Sequence, residues 1–284
     1  MTNLKLALKQ AWRDARAGDL RLLLLAVVVA VAAITSVGFL ADRVSRALER
    51  DAAQMLGADL VFEADTPVPE EFLAHARQRG LTTALTWQFP SMVGSSANLV
   101  LSSLKAVQGS YPLRGSLRTT TSVAGPDQAT QAAPEPGEVW VDAQILGQTS
   151  QQIGQQLNVG EVALTITRVI TYEPDRGPQF VNLAPRVMLR AEDLPRTGLI
   201  APGSRVRYAL LVAGKSEAVQ AYRTWLDSQL KPGQKILTIE AGRPEIRRSL
   251  DRAQQFLALV AMLAVLIAAV AVALAARRFG QRHR

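Results

Sequence analysis

Two long, uncharged apolar stretches bracket the chain, Leu22 to Ala41 and Phe256 to Ala276, and leave 214 residues between them. At about 1.5 Å of rise per helical residue, stretches of 20 and 21 residues each reach roughly 30 Å, the thickness of a bilayer's hydrocarbon core. The sequence therefore predicts a membrane protein with two transmembrane helices, 22–41 and 256–276, flanking an α+β extracytoplasmic domain of two small lobes. Thr35, Ser36 and Gly38 interrupt the first stretch only mildly, since hydroxylated and small residues can bond within a helix or pack closely against a neighbour. A cleaved signal peptide is the competing reading of 22–41, because Lys5, Lys9, Arg13, Arg16 and Arg21 precede it. The apolar run continues through Phe39 and Leu40, longer than an ordinary signal core, and this favours a retained helix.

Charge placement gives the expected orientation. The formal net charge of +8 divides into +3 for residues 1–21, +1 for residues 42–255 and +4 for residues 277–284. By the positive-inside tendency both short ends are cytoplasmic and the middle is outside, so the expected location is a bacterial inner membrane, N-in and C-in, with 42–255 periplasmic. The high pI records that topology; no base-reading motif or internal basic stripe points to nucleic acid. Residues 1–21 also read as a cytoplasmic amphipathic helix. Leu4, Leu8 and Trp12 share one side with Lys5, Lys9, Arg13 and Arg16 beside it, a pattern suited to anionic lipid headgroups.

Between the apolar stretches the pattern divides into segments. Residues 42–57 read as a helical stalk ending at Gly57, and 243–255 as a second stalk opened by Pro244. A first lobe begins over 58–113, with strands at Ala58–Glu63, Leu81–Val93 and Asn98–Val107 and a helix within Pro67–Gly80, in a βαβ-type layer. A second lobe occupies 114–203. It opens with an exposed connection, Gly125–Gly137, followed by strands at Val139–Val141 and Glu161–Ile170 and a short edge strand at Met188–Leu189. Residues 204–242 return to the first lobe as a strand (Val206–Val212), a helix (Lys215–Leu230) and a strand (Ile236–Glu240). Trp225 shares that helix's apolar face with Val219, Tyr222 and Leu226 and reads as a packing residue.

Motifs for chemistry are sparse. The chain has no cysteine and two histidines, His75 and His283, which disfavours a disulfide scaffold, a thiolate enzyme and a histidine-rich zinc site. Gly214, Lys215 and Ser216 spell the end of a phosphate-binding loop, but Ala209 stands where its first glycine belongs. The acidic pairs Glu70/Glu71, Glu192/Asp193 and Glu173/Asp175 fit helix starts and turns. No catalytic, cofactor-binding or metal-ligating residue is expected, and the chain reads as a non-enzyme.

Several spaced segments carry a resemblance. They are Lys105-Ala106-Val107 followed by Tyr111-Pro112-Leu113, then Glu173-Pro174-Asp175 with Gly177, then Ala184-Pro185-Arg186-Val187-Met188-Leu189, and finally Ser249 to Leu257, SLDRAQQFL. In this order the chain resembles the FtsX-like, or MacB-type, ABC transporter permeases, closest to the N-terminal part of YbbP-type members. The resemblance implies no cofactor in this chain, with ATP bound by a separate cytoplasmic ABC ATPase. It also implies mechanical coupling of that ATPase to the extracytoplasmic domain, for export, extraction or envelope remodelling. Lipid, lipoprotein or peptide is the possible cargo. Arg43, Arg46, Arg50, Arg247, Asp251 and Arg252 are the expected stalk transmission positions, with a simple solvated stalk as the alternative for each. Further membrane helices follow this region in such permeases, so 277–284 reads as a truncated cytoplasmic end. The runner-up is a two-span receptor or sensor lacking its cytoplasmic output domain.

Overall fold

A computed structural model of the chain describes residues 53–95, 98–122, 125–176, 184–201 and 203–238 continuously, with separate helical residues within 28–47 and 252–277. The chain divides into two compact units, Met1–Leu48 with Arg243–Arg284, and Glu49–Gly242. In the first unit the described residues are helical and exposed. Thr35 donates its hydroxyl to the Val31 carbonyl at 2.6 Å, and Arg46 pairs with Asp42 one turn away at 3.0 Å.

The expectation of two transmembrane helices is overturned here. Crossing needs about 20 consecutive apolar helical residues. Among the described residues no helix is long and apolar enough to cross a membrane. The inner-membrane location and the N-in, C-in topology rested on those spans and fall with them.

The second unit is built on one eleven-stranded sheet. Its first part is β1 (Leu60–Ala64), α1 (Glu70–Gln78), β2 (Thr82–Gly94) and β3 (Leu99–Val107); its last part is β10 (Arg207–Ala213), α3 (Ser216–Asp227) and β11 (Lys235–Thr238). The order β11-β1-β10-β2 is antiparallel throughout, so β1 and β2 run parallel with β10 inserted between them. This is the split β-α-β, ferredoxin-like arrangement, with the late strand β10 inserted into the βαβ-type layer. α1 begins with Glu70 and Glu71 at its positive end and buries Phe72, Leu73 and Ala76. These pack with Tyr222 and Leu226 of α3 over Leu60, Phe62, Leu210 and Val212. Trp225 stands edge-on to Phe72 and stacks on His75 at 3.8 Å, so both rings serve packing.

The chain between β3 and β10 adds β4 (Leu117–Thr120), β5 (Gln128–Thr130), β6 (Glu138–Asp142), α2 (Ala143–Thr149), β7 (Gln156–Val159), β8 (Val162–Tyr172), β9 (Arg186–Arg190) and a 3-10 helix (Ala191–Thr197). β7 pairs with both β8 and β2, so the ladder β2-β3-β9-β6-β8-β7 closes on itself as a six-stranded ring. Closure removes free edges. Phe89, Leu104, Val139, Leu157, Leu164, Ile166, Val187 and Leu189 belong to the core cluster of these strands. Three expectations change. β9 lies in the middle of the sheet between β3 and β6, where an edge strand was expected. Two stretches without a strand expectation, 117–120 and 156–159, form β4 and β7; both have four residues, too short for periodicity to register. The supposed connection 125–137 contributes β5 and buries Ala133.

Candidate functional site

Side-chain alternation creates the site. In β3, Leu104 and Ala106 join the ring's core cluster, which turns Ser103 and Lys105 to the opposite face. β9 runs parallel beside it in the register Ser103↔Arg186 and Lys105↔Met188. Two cations thus stand on neighbouring strands of one face. The anions arrive from the chain just past β8, where Glu173 and Asp175 lie over that face. Tyr111, after β3, completes the cover.

The result is a charge-balanced, buried network. The Lys105 ammonium donates to Glu173 Oε1 at 2.8 Å, Asp175 Oδ2 at 2.7 Å and Tyr111 Oη at 2.9 Å, using all three of its protons. Arg186 Nε donates to Glu173 Oε2 at 2.7 Å, and its Nη1 bonds the Ser103 hydroxyl. The side chains of Lys105, Glu173 and Arg186 are 4 %, 0 % and 1 % exposed, whereas Asp175 keeps 18 %. Burial alone would raise the Glu173 pKa, but the two cations outweigh it and hold the carboxyl at about 2. Burial and the two carboxylates push the Tyr111 phenol well above its usual value, so it stays protonated and donates to Asp175 Oδ1 at 2.5 Å. Beside the network Arg176 pairs with Asp142 at 2.9 Å and donates to the Ala184 carbonyl at 3.2 Å, while Asp142 accepts the Arg186 N–H at 2.8 Å.

The network borders the point where a helix enters the sheet. Residues 53–56 are helical and the chain turns at Gly57, whose φ is +73°. A Cβ placed on Gly57 would lie 3.7 Å from Asp175 Cβ, so Asp175 is in packing range of the joint. The loop after Tyr111 reaches the same place: Arg114 N–H donates to the Gly57 carbonyl at 2.9 Å, and its guanidinium grips Asp59 at 2.9 and 2.7 Å. At Gly115, φ +71°, a Cβ would stand 3.0 Å from the Gln54 carbonyl oxygen. Asp59 also accepts the Gly214 N–H at 2.9 Å. That carboxylate occupies the donor and places negative charge where the near-match to a phosphate loop would have to receive an anion.

Of the residues expected from sequence, Arg43, Arg46 and Arg252 are helical and exposed. Arg50, Arg247, Asp251 and the amphipathic set Leu4, Lys5, Leu8, Lys9, Trp12, Arg13 and Arg16 lie outside the described residues. The buried network was not expected as a unit. Its members nevertheless stand in the very segments that carry the resemblance, at Lys105, Tyr111, Glu173, Asp175 and Arg186. The available signal was a single cation inside an apolar strand, Leu104-Lys105-Ala106, and another opening Val187-Met188-Leu189. Among the described residues no group of three or more His, Asp or Glu is placed to hold a metal ion.

No family model matches the chain. Over 268 residues, 94 % of the chain, it is 31 % identical to an uncharacterized ABC transporter permease, YbbP, of Escherichia coli (strain K12). The chain spans 32 % of that relative's length. Among solved structures, the periplasmic region of MacB from Actinobacillus actinomycetemcomitans is 11 % identical, with 69 % of this chain and 95 % of that one covered and a TM-score of 0.42. The extracellular domain of the ABC-type transporter YknZ from Gram-positive bacteria is 8 % identical, covering 63 % of this chain and all of its own, with a TM-score of 0.39. Likenesses at that level leave the fold to stand on its own strand order. Over most of its length the chain is thus similar to part of an ABC transporter permease.

Proposed function

We propose that this chain is a segment of a YbbP-type permease subunit in which the folded unit Glu49–Gly242 is moved as a body by a separate ATPase. The work done is export, extraction or remodelling, with a lipid, lipoprotein or peptide as cargo. The observation that carries this reading is the similarity to an ABC transporter permease across 94 % of the chain. The geometry supports it in a second way. Each charge of the buried network is matched by an opposite charge or a hydroxyl, which suits a stiff connector and leaves no unmatched group for general acid or base work. Arg43, Arg46, Arg50, Arg247, Asp251 and Arg252 are proposed to lie on the connecting segments that deliver the motion.

The division of labour is testable with the whole protein. The purified polypeptide alone is expected to show no ATP hydrolysis, and addition of its cognate ATPase to restore turnover. Robust hydrolysis by the polypeptide alone sinks the reading. Paired spin labels near positions 46 and 251 of the assembled complex test the moving segments: their distance distribution is expected to change between apo and nucleotide-trapped states, and identical distributions during active turnover reject transmission.

A further inference from the structure

We infer that Asp175 is a latch that holds the helix joint at Gly57 onto the sheet, and that it is the one member of the buried network placed to let go. The inference deepens the mechanical reading above, but its test needs no ATPase. Glu173 is wholly buried between Lys105 and Arg186, and moving it would break its ion pairs with both. Asp175 differs in two respects: its side chain is 18 % exposed, and it is within packing range of Gly57. Turning Asp175 outward would rehydrate its carboxylate at once, while Lys105 would retain Glu173 at 2.8 Å and Tyr111 at 2.9 Å.

Charge counting says why the latch is closed at rest. With Asp175 in place, Lys105 and Arg186 face Glu173 and Asp175 and the group is neutral. With Asp175 out, the buried remainder carries one uncompensated positive charge, which low dielectric penalises. The latch therefore resists opening but does not forbid it. Its mechanical arm is short and continuous. Asp175 accepts from Tyr111 at 2.5 Å, and three residues further on Arg114 holds both the Gly57 carbonyl and Asp59. Release of Asp175 loosens Tyr111 and hence the 111–115 loop against the helix end.

Hydrogen exchange on the full-length protein tests this. Asp175→Asn keeps the shape but loses the ion pair; exchange at the Gly57 and Arg114 amides is expected to rise about tenfold or more, while ring amides of 139–141 and 187–189 keep their protection. Asp175→Glu, which keeps the charge, is expected to stay closer to wild type at the same amides. The double variant Lys105→Met with Asp175→Asn restores neutrality around Glu173 and Arg186 without restoring the tie. In it the urea midpoint is expected to recover relative to Asp175→Asn, while Gly57 and Arg114 still exchange fast. Unchanged exchange in Asp175→Asn overturns the latch. So does a uniform rise across the ring. Recovery of Gly57 and Arg114 protection in the double variant also overturns it, because Asp175 would then act through charge balance alone.

Discussion

At the scale of single residues, Glu173 contributes to the acid behaviour of the folded unit. Its carboxyl is held at about 2 against an ordinary value of 4.5, so it binds fewer protons folded than unfolded. The stabilisation is fully present above the unfolded value and is lost as pH falls through the folded one. The stability difference between wild type and Glu173→Gln is therefore expected to be constant from neutral pH down to about 4.5 and to shrink from there towards pH 2, as read from urea midpoints. Lys105→Met leaves two carboxylates to one guanidinium in a buried space. A cost of about 3–5 kcal/mol is expected, and adding Asp175→Asn should return part of it, which a double-mutant cycle measures. The sequence offered these residues only one at a time. Glu173 and Asp175 read as turn acids, and nothing in their spacing from Lys105 or Arg186 shows that a sheet register brings them together.

At the scale of elements, the tight places are where one segment passes another. Gly160 turns β7 into β8 at φ +61°, and a Cβ there would come 2.0 Å from the Thr197 carbonyl oxygen at the end of the 3-10 helix. Backbone cannot yield as a flexible side chain can, and the left-handed conformation adds its own strain. Gly160→Ala is expected to cost about 1–3 kcal/mol or more, while Gly147→Ala, with open space around it and a helical backbone, should be neutral or slightly stabilising. Thermal unfolding of the two variants side by side checks the contrast. Strands β1, β2, β3, β8 and β10 were legible as elements because an apolar run or an alternation extends over several residues in each. Their partners were not: β9 looked like an edge because only its short apolar pair stood out, whereas it is covered on both sides.

At the scale of the folded unit Glu49–Gly242, β2 belongs to both the ferredoxin-like layer and the closed ring: of its 13 residues, 82–88 pair with β10, 86–94 with β3, and 93–94 with β7. A shared strand ties the two parts into one hydrogen-bonded system. Leu164→Ala in the ring's core is expected to cost about 2–5 kcal/mol and to lower the unfolding of the whole unit in one transition. Tryptophan fluorescence, with Trp87 on β2, Trp140 on β6 and Trp225 on α3, and far-UV circular dichroism should then report the same midpoint; separate midpoints would show that the layer and ring unfold independently.

Local chemistry determined much of this by itself: the amphipathic faces of α1 and α3, the longer strands, the turn at Gly57, and the absence of a thiol or a complete phosphate loop. Each depends on residues near one another in the chain. The reading of 22–41 and 256–276 as spans was also local, a matter of length and hydropathy, and the described helical residues do not sustain it. Tertiary structure alone decided that β10 enters between β1 and β2, that β7 closes the ring, and that Lys105, Tyr111, Glu173, Asp175 and Arg186 meet. A buried charge is tolerable only beside its opposite, and residues nearly seventy positions apart become neighbours only when strand register brings them together.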